Sequence, residues 1–262
     1  DVPNWHVWRT RLPKGFRWYI SNLVFPRYIK QVYDKCPFDL LRAHSLRFVG
    51  PAALWARRHY RLPVPVVAHH HHVDVNWLNP VIERRVVEAC DLVVTVSQFS
   101  RRQLASDLGV RTDHVAVVYD GVGREFQPQA KDERLAARLG MRAVKTILFL
   151  GGLKPRKNLG LVLDAMRDLV AQMGDQVQLV IAGTGSEERA LRRRARSLGL
   201  ADLVVFTGYV PERDKVSLYN LADIFVFPSR LEGFGLVAAE AMACGKPVVA
   251  SRAGALPEVV AD

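Results

Sequence analysis

Short apolar runs alternate with amphipathic stretches along almost the whole chain. In the first half, Phe38–His44, Pro63–Ala68, Leu92–Ser97 and Val115–Tyr119 read as buried strands. Helices are predicted around Gly15–Tyr33, Gly50–His59, Leu78–Ala89 and Ser100–Leu108, the last with Ser97 or Ser100 as N-cap. A second series follows, with strands Thr146–Leu150, Gln178–Ala182, Val204–Thr207, Ile224–Phe227 and Pro247–Ala250. Its helices are Asn158–Met173, Glu187–Leu198, Glu212–Leu221 and Leu236–Ala243. Strands alternating with helices imply parallel sheets covered on both faces. The polar, charged segment Gly123–Ala143 reads as an interdomain linker with a short helix. The pattern therefore predicts an α/β protein of two Rossmann-like, doubly wound domains, residues 1–122 and 144–262, facing a cleft.

Composition narrows this picture. A chain of 262 residues suits one large domain or two of ordinary size, and 49% hydrophobic residues exclude a disordered one. Lys and Arg exceed Asp and Glu by 37 − 26 = 11, so acidic partners are expected: nucleotide phosphates, nucleic acid or an anionic membrane. Nucleic acid fits worst, because the basic residues are not interleaved with aromatics in a known module. Cys36, Cys90 and Cys244 are widely spaced and show no metal-ligand pattern, which suits reduced thiols in the cytoplasm. No apolar run approaches the roughly 18 residues of a membrane span, and no secretory signal opens the chain. The opening lacks an obvious first strand and the end stops partway into a helix, so the N-terminal domain and the C-terminal end are expected to be incomplete.

In open α/β sheets, ligands sit beyond the carboxyl ends of the strands. The strand ending at Leu150 exits into Gly151-Gly152-Leu-Lys154-Pro-Arg156-Lys157-Asn158, where glycines allow close backbone approach and three cations can surround a diphosphate. A solvated basic loop is the plainer reading. Gly183-Thr-Gly185 begins like a dinucleotide fingerprint, but Glu188 stands where a third small residue is needed, so a tight turn is expected. Tyr209 and Val210 could flank a nucleotide base, or belong to an ordinary capping turn. The strand ending at Phe227 leads to Glu232-Gly-Phe234-Gly235-Leu236, and Glu240 follows eight positions after Glu232. Glu240 on the first turns of a helix can accept from a ribose diol, and Glu232 can meet sugar hydroxyls, although helix-end carboxylates also occur without function. In the first half, His69, His70, His71 and His72 stand at a strand exit. Consecutive residues cannot all turn to one ion, so a functional histidine is a better reading than a metal site. The run Arg189–Arg196 keeps Leu191, Ala195 and Leu198 at helical spacing, so its arginines are expected on the solvated face of a sheet-covering helix.

Leu148–Asn158 together with Glu232–Ser251 resembles the donor half of a retaining GT-B glycosyltransferase of the large family 4 type (glycosyl transferases group 1). Asp91–Ser97 and Val117–Val122 resemble that family's first domain and its crossing into the second. The likeness runs from about Phe38 to Asp262, and the two-glutamate motif with its Gly-Phe-Gly insert is its most specific part. The resemblance implies GT-B architecture and metal-independent transfer of a hexose, with retention, from a nucleotide-diphosphate-sugar to an acceptor hydroxyl. The acceptor would be a glycan, a lipid-linked saccharide or a small molecule, as in polysaccharide biosynthesis. No cofactor or metal is implied.

By the same resemblance, Glu240 would bind the ribose and Glu232 the sugar hydroxyls. Amides of Phe234, Gly235 and Leu236 would contact sugar or diphosphate, Arg156 and Lys157 would neutralise the leaving group, and His70 would sit by the sugar. Many members carry Arg where Gly152 stands, which moves phosphate neutralisation onto Pro155–Asn158. The net charge allows peripheral contact with the inner face of an anionic membrane. Rival readings are a GT-B nucleotide-sugar epimerase and a non-catalytic protein that binds sugar nucleotides or membrane surfaces.

Overall fold

The computed structural model describes residues 17–47, 49–71 and 80–261. Two compact units emerge: residues 1–95 with 101–118, and residues 96–100 with 119–262.

The first unit contains α1 (Arg17–Lys35), β1 (Leu41–Ala43), α2 (Gly50–His59), β2 (Val66–His70), α3 (Pro80–Ala89) and β3 (Leu92–Thr95). It also holds most of α4 (Gln98–Leu108), and β4 (Val115–Val117). Its strands form a parallel sheet in the order β1-β2-β3-β4. The core is small: Val66, Ala68, Val87, Val93 and Leu104 are its fully buried centre. β2 lies further along the chain than the apolar run implied. Pro63 and Pro65 have no N–H to give to a ladder, so pairing starts at Val66 and continues through His69 and His70, opposite Val94 and Thr95. The start of the first predicted helix, the start of Leu78–Ala89, and His72 lie outside the described residues.

In the second unit follow α5 (Glu133–Arg138), β5 (Lys145–Leu150), α6 (Leu159–Met173), β6 (Val177–Ala182), α7 (Glu188–Ser197), β7 (Val204–Gly208) and α8 (Glu212–Leu221). The chain then continues through β8 (Ile224–Phe227), α9 (Leu236–Ala243), β9 (Val248–Ala250) and α10 (Leu256–Val259). The parallel sheet has the order β7-β6-β5-β8-β9. β6 is buried along its whole length, as a central strand covered on both faces must be. Leu148, Phe149, Leu163, Leu179, Ile181, Phe225 and Phe227 fill the core around it. The segment read as a linker adds Leu135 and Ala136 to that core through α5, whose N-cap Asp132 accepts from the Leu135 amide at 3.0 Å.

Strand order reverses between β5 and β8. The chain leaves β5 towards one side of the sheet and β8 towards the other, so the loops after these two neighbouring strands flank a crevice at their carboxyl ends. Arginine-rich α7 covers the sheet as expected. Leu191 and Ala195 are buried, while Arg194 pairs with Asp164 and Arg192 lies 4.4 Å over the Phe206 ring.

Candidate functional site

The crevice is built by two loops stapled together through one residue. Arg156 lies in the short 3-10 turn Pro155–Lys157 after β5. Its carbonyl accepts from the Arg230 amide at 2.8 Å, and its guanidinium donates to the Leu231 carbonyl at 2.9 Å and to Glu232 Oε1 at 2.8 Å. The turn ends at Asn158, which adopts the left-handed conformation (φ 55°) that Asn tolerates better than most side chains and so redirects the chain into α6.

Lys157 is buried, with Nζ on Glu232 Oε1 and 4.3 Å from the centroid of the Phe227 ring. Burial draws the Lys157 pKa below its ordinary value, and the Glu232 carboxylate works against that shift. A buried ammonium needs such a partner, since an isolated charge in this setting would neutralise instead. Two cations thus converge on one oxygen of Glu232. The motif's carboxylate and the basic loop, which were separate features of the sequence, form one cluster.

Gly151 and Gly152 open the same loop. Its outer wall is the turn after β6, which presses so close that a Cβ on Gly183 would fall 2.0 Å from the Gly151 carbonyl oxygen. Gly183, at φ 131°, is therefore a packing requirement, which accounts for the Gly-x-Gly spacing without a dinucleotide. A Cβ on Gly152, by contrast, would meet nothing nearer than the Thr184 carbonyl at 4.0 Å, so the position has room for a side chain.

Glycine is equally required at Gly235, the N-cap of α9 at φ 101°, where a Cβ would meet Leu256 at 2.6 Å. The turn opens α9, whose first amides lack intrahelical acceptors and point out of the helix end, a setting that suits an anion. Phe234 is buried against Tyr119, with ring centroids 6.0 Å apart, and Leu236 is exposed. Residues 96–100, which group with this unit, brace the loop. Ser97 donates to the Gly233 carbonyl at 2.7 Å and also caps α4 by accepting from the Ser100 amide at 3.0 Å. Glu258 of α10 accepts from the Gln98 and Phe99 amides at 2.8 and 2.6 Å. The Ser97 cap was legible in the sequence, but its bond to Gly233, 136 residues away, had no local signal.

Glu240 sits one turn into α9 and is almost fully buried. Its Oε2 accepts from the Tyr219 hydroxyl at 2.6 Å and its Oε1 from Lys215 at 2.9 Å, both on α8. Neither partner was singled out from the sequence. Beyond β7, Tyr209 is 76% exposed, whereas Val210 is buried in the second core.

His70 belongs to the first unit, buried at the end of β2. On the opposite face of that sheet His44, His69 and His71 stack with ring centroids 5.2–5.7 Å apart, and Arg42 donates to His69 Nε2 at 2.8 Å. Burial, then the Arg42 charge, pull the His69 pKa down to about 4, so it stays neutral near pH 7. Among the described residues no group of His, Cys, Asp and Glu could hold a metal ion, and no helix is long and apolar enough to cross a membrane.

Residues 136–262 match the family model described as Glycosyl transferases group 1, and residues 1–126 match that of Glycosyltransferase Family 4. Over 235 residues the chain is 34% identical to the GDP-mannose-dependent alpha-(1-6)-phosphatidylinositol monomannoside mannosyltransferase of Mycolicibacterium smegmatis, covering 84% of this chain and 59% of that protein. It is 36% identical over 189 residues to the D-inositol 3-phosphate glycosyltransferase of Acidothermus cellulolyticus, covering 69% of this chain and 42% of that one. Among solved structures it is similar to Anabaena HepE in complex with UDP and glucose, with TM-score 0.78, 26% identity, and coverage of 93% of this chain and 67% of that one. The chain therefore spans about three-fifths or less of the length of these two curated relatives.

Proposed function

Because this chain belongs to the GT-B glycosyltransferases of the group 1, family 4 type, we propose that it acts in moving a hexose from a nucleotide-diphosphate-sugar to an acceptor hydroxyl, with retention, and that its second unit binds the donor. The observation that carries the reading is the convergence of Arg156 and Lys157 at the strand-order reversal, beside the amino end of α9.

The chemical burden is the charge that appears when the bond between the anomeric carbon and the β-phosphate oxygen breaks. Two fixed cations and the α9 amides can take that charge without reorganising, and such preorganised groups are worth about 3–4 kcal/mol each in comparable sites. Gly151 and Gly152 let the diphosphate approach the backbone of the basic loop. Glu232 would orient the sugar through its hydroxyls, and Glu240 would accept from the ribose.

In the proposed step the acceptor oxygen bonds to the anomeric carbon on the face the phosphate leaves. The departing phosphate oxygen takes the acceptor's proton, so no covalent sugar on Glu232 is needed. With two side-chain cations in this place, transfer is expected to be metal-independent and unaffected by a chelator.

The likeness to a GDP-mannose-dependent relative makes GDP-mannose the first donor to try, with UDP- and dTDP-hexoses beside it. Its acceptor is proposed to be a saccharide, a lipid-linked saccharide or a polyol. Thermal unfolding with a panel of these donors is the direct test. A donor present at a hundred times its Kd should stabilise by about 2.7 kcal/mol, and its α-configured sugar should appear in an α-linked product. If no nucleotide-sugar raises the unfolding temperature, the reading fails.

A further inference from the structure

We propose that Tyr219 and Lys215 are positioning residues that set the Glu240 carboxylate for the ribose of the nucleotide. The proposal rests on the reading of Glu240 given above. The two donors are four residues apart on α8, so they share one face of that helix, and each takes a different oxygen of Glu240. Tyr219 has no exposed surface. Its ring meets Phe126 and Phe225 at centroid distances of 6.0 and 5.6 Å, which fixes where its hydroxyl points. Burial, then the bond to Glu240, hold the phenol protonated far above its ordinary range, so it remains a donor at any working pH.

Lys215 is held from three sides. It bonds Glu240 at 2.9 Å and Glu212 at 3.0 Å, and its ammonium lies 5.4 Å from the centroid of the Phe126 ring. Burial alone would lower its pKa, but the bonds to Glu240 and Glu212 outweigh that and raise it, which keeps the cation charged.

An ionised carboxylate offers about four acceptor positions, two on each oxygen. Tyr219 and Lys215 occupy one on each, leaving about one per oxygen. Two remaining acceptors, side by side on one rigid carboxylate, fit the two hydroxyls of a vicinal diol. A carboxylate with both donors on a single oxygen, as at Glu232, would present a different pattern.

The rival account is that the trio is a buried ion-pair network that only stabilises the fold. Affinity for GDP against 2′,3′-dideoxy-GDP separates the two accounts, because a loss of fold lowers both affinities together. The same comparison with UDP and its dideoxy analogue covers the other base class. Wild-type protein should prefer the ribonucleotide at least about tenfold, the order of one or two hydrogen bonds to a charged group. In Tyr219→Phe, which keeps the ring, and in Lys215→Met, the preference should shrink to about threefold or less through loss of ribonucleotide affinity, with the dideoxy compound bound about as before. Lys215→Arg, which keeps a cationic donor, should recover part of the preference. An undiminished preference in both Tyr219→Phe and Lys215→Met overturns the proposal while leaving the ribose role of Glu240 intact. Equal wild-type affinity for both nucleotides overturns that role, and the proposal with it.

Discussion

Glu232 and Glu240 come from one motif and are almost equally buried, at 7% and 4% exposure, yet their surroundings differ. Glu232 lies in a loop and receives both its cations on Oε1, from the turn after a neighbouring strand. Glu240 lies on a helix and receives one donor on each oxygen, one of them neutral, from another helix. The first environment gathers positive charge that exceeds what one carboxylate can balance. The second balances its carboxylate and fixes its direction. Under the proposed function, this difference would separate a place that attracts the diphosphate from a place that recognises a neutral diol, a distinction the shared residue type conceals.

The sharpest way to break this contrast is Lys157→Met. It removes a buried cation and leaves Glu232 with Arg156 alone, a class of change that costs about 3–5 kcal/mol of stability. Turnover should fall by roughly two to three orders of magnitude where folded protein remains, since one charge-stabilising group is lost. Urea unfolding and single-turnover kinetics check the two effects, and near-normal turnover would remove Lys157 from leaving-group stabilisation.

A smaller effect is expected from Glu232→Gln, which keeps the shape but frees the two cations from a competing anion. Affinity for free GDP or UDP should rise by about threefold to tenfold, the scale of one partly screened charge interaction, while transfer slows. Calorimetric titration of the nucleotide decides this. A fall in affinity would make Glu232 a nucleotide-binding group like Glu240 and collapse the distinction.

The smallest effect belongs to Asp164→Asn on the surface. Arg194 and Asp164 meet at 2.7 Å, as close as the site pairs, but both are solvent-accessible. The change should shift stability by less than about 0.5 kcal/mol and leave nucleotide binding alone. A loss comparable to that of Lys157→Met would show that distance rather than burial governs these pairs.

Much of the fold was legible because its signals are local. Gly50–His59, Glu212–Leu221 and Leu236–Ala243 begin and end where periodicity places them, with Pro51, Pro211 and Gly235 marking their starts. β2 was misplaced because apolar content suggests a strand wherever valines alternate with prolines, while pairing depends on which residues can donate. The basic loop and Glu232 were each visible, and the reversal of strand order between β5 and β8 brings them together. Lys215 and Tyr219 were invisible for a different reason. On α8 they look like any amphipathic helix positions, and only packing against α9 turns them towards Glu240. Tyr209 and Val210, read as flanking a nucleotide base or as part of a capping turn, part company: Val210 is buried with the core and Tyr209 is exposed.

Arg156 joins the two loops through both its carbonyl and its guanidinium. Its consequence is for how the protein can vary. Under the proposed function, the residues that would hold the phosphates and those that would touch the sugar are tied into one unit, so substitutions aimed at a new sugar should also disturb leaving-group stabilisation. The proposed ribose contact, Glu240, is held from α8 and is free of that tie. Changes in how the ribose is held should therefore be accessible in single steps, whereas changes of sugar should require paired substitutions on both loops.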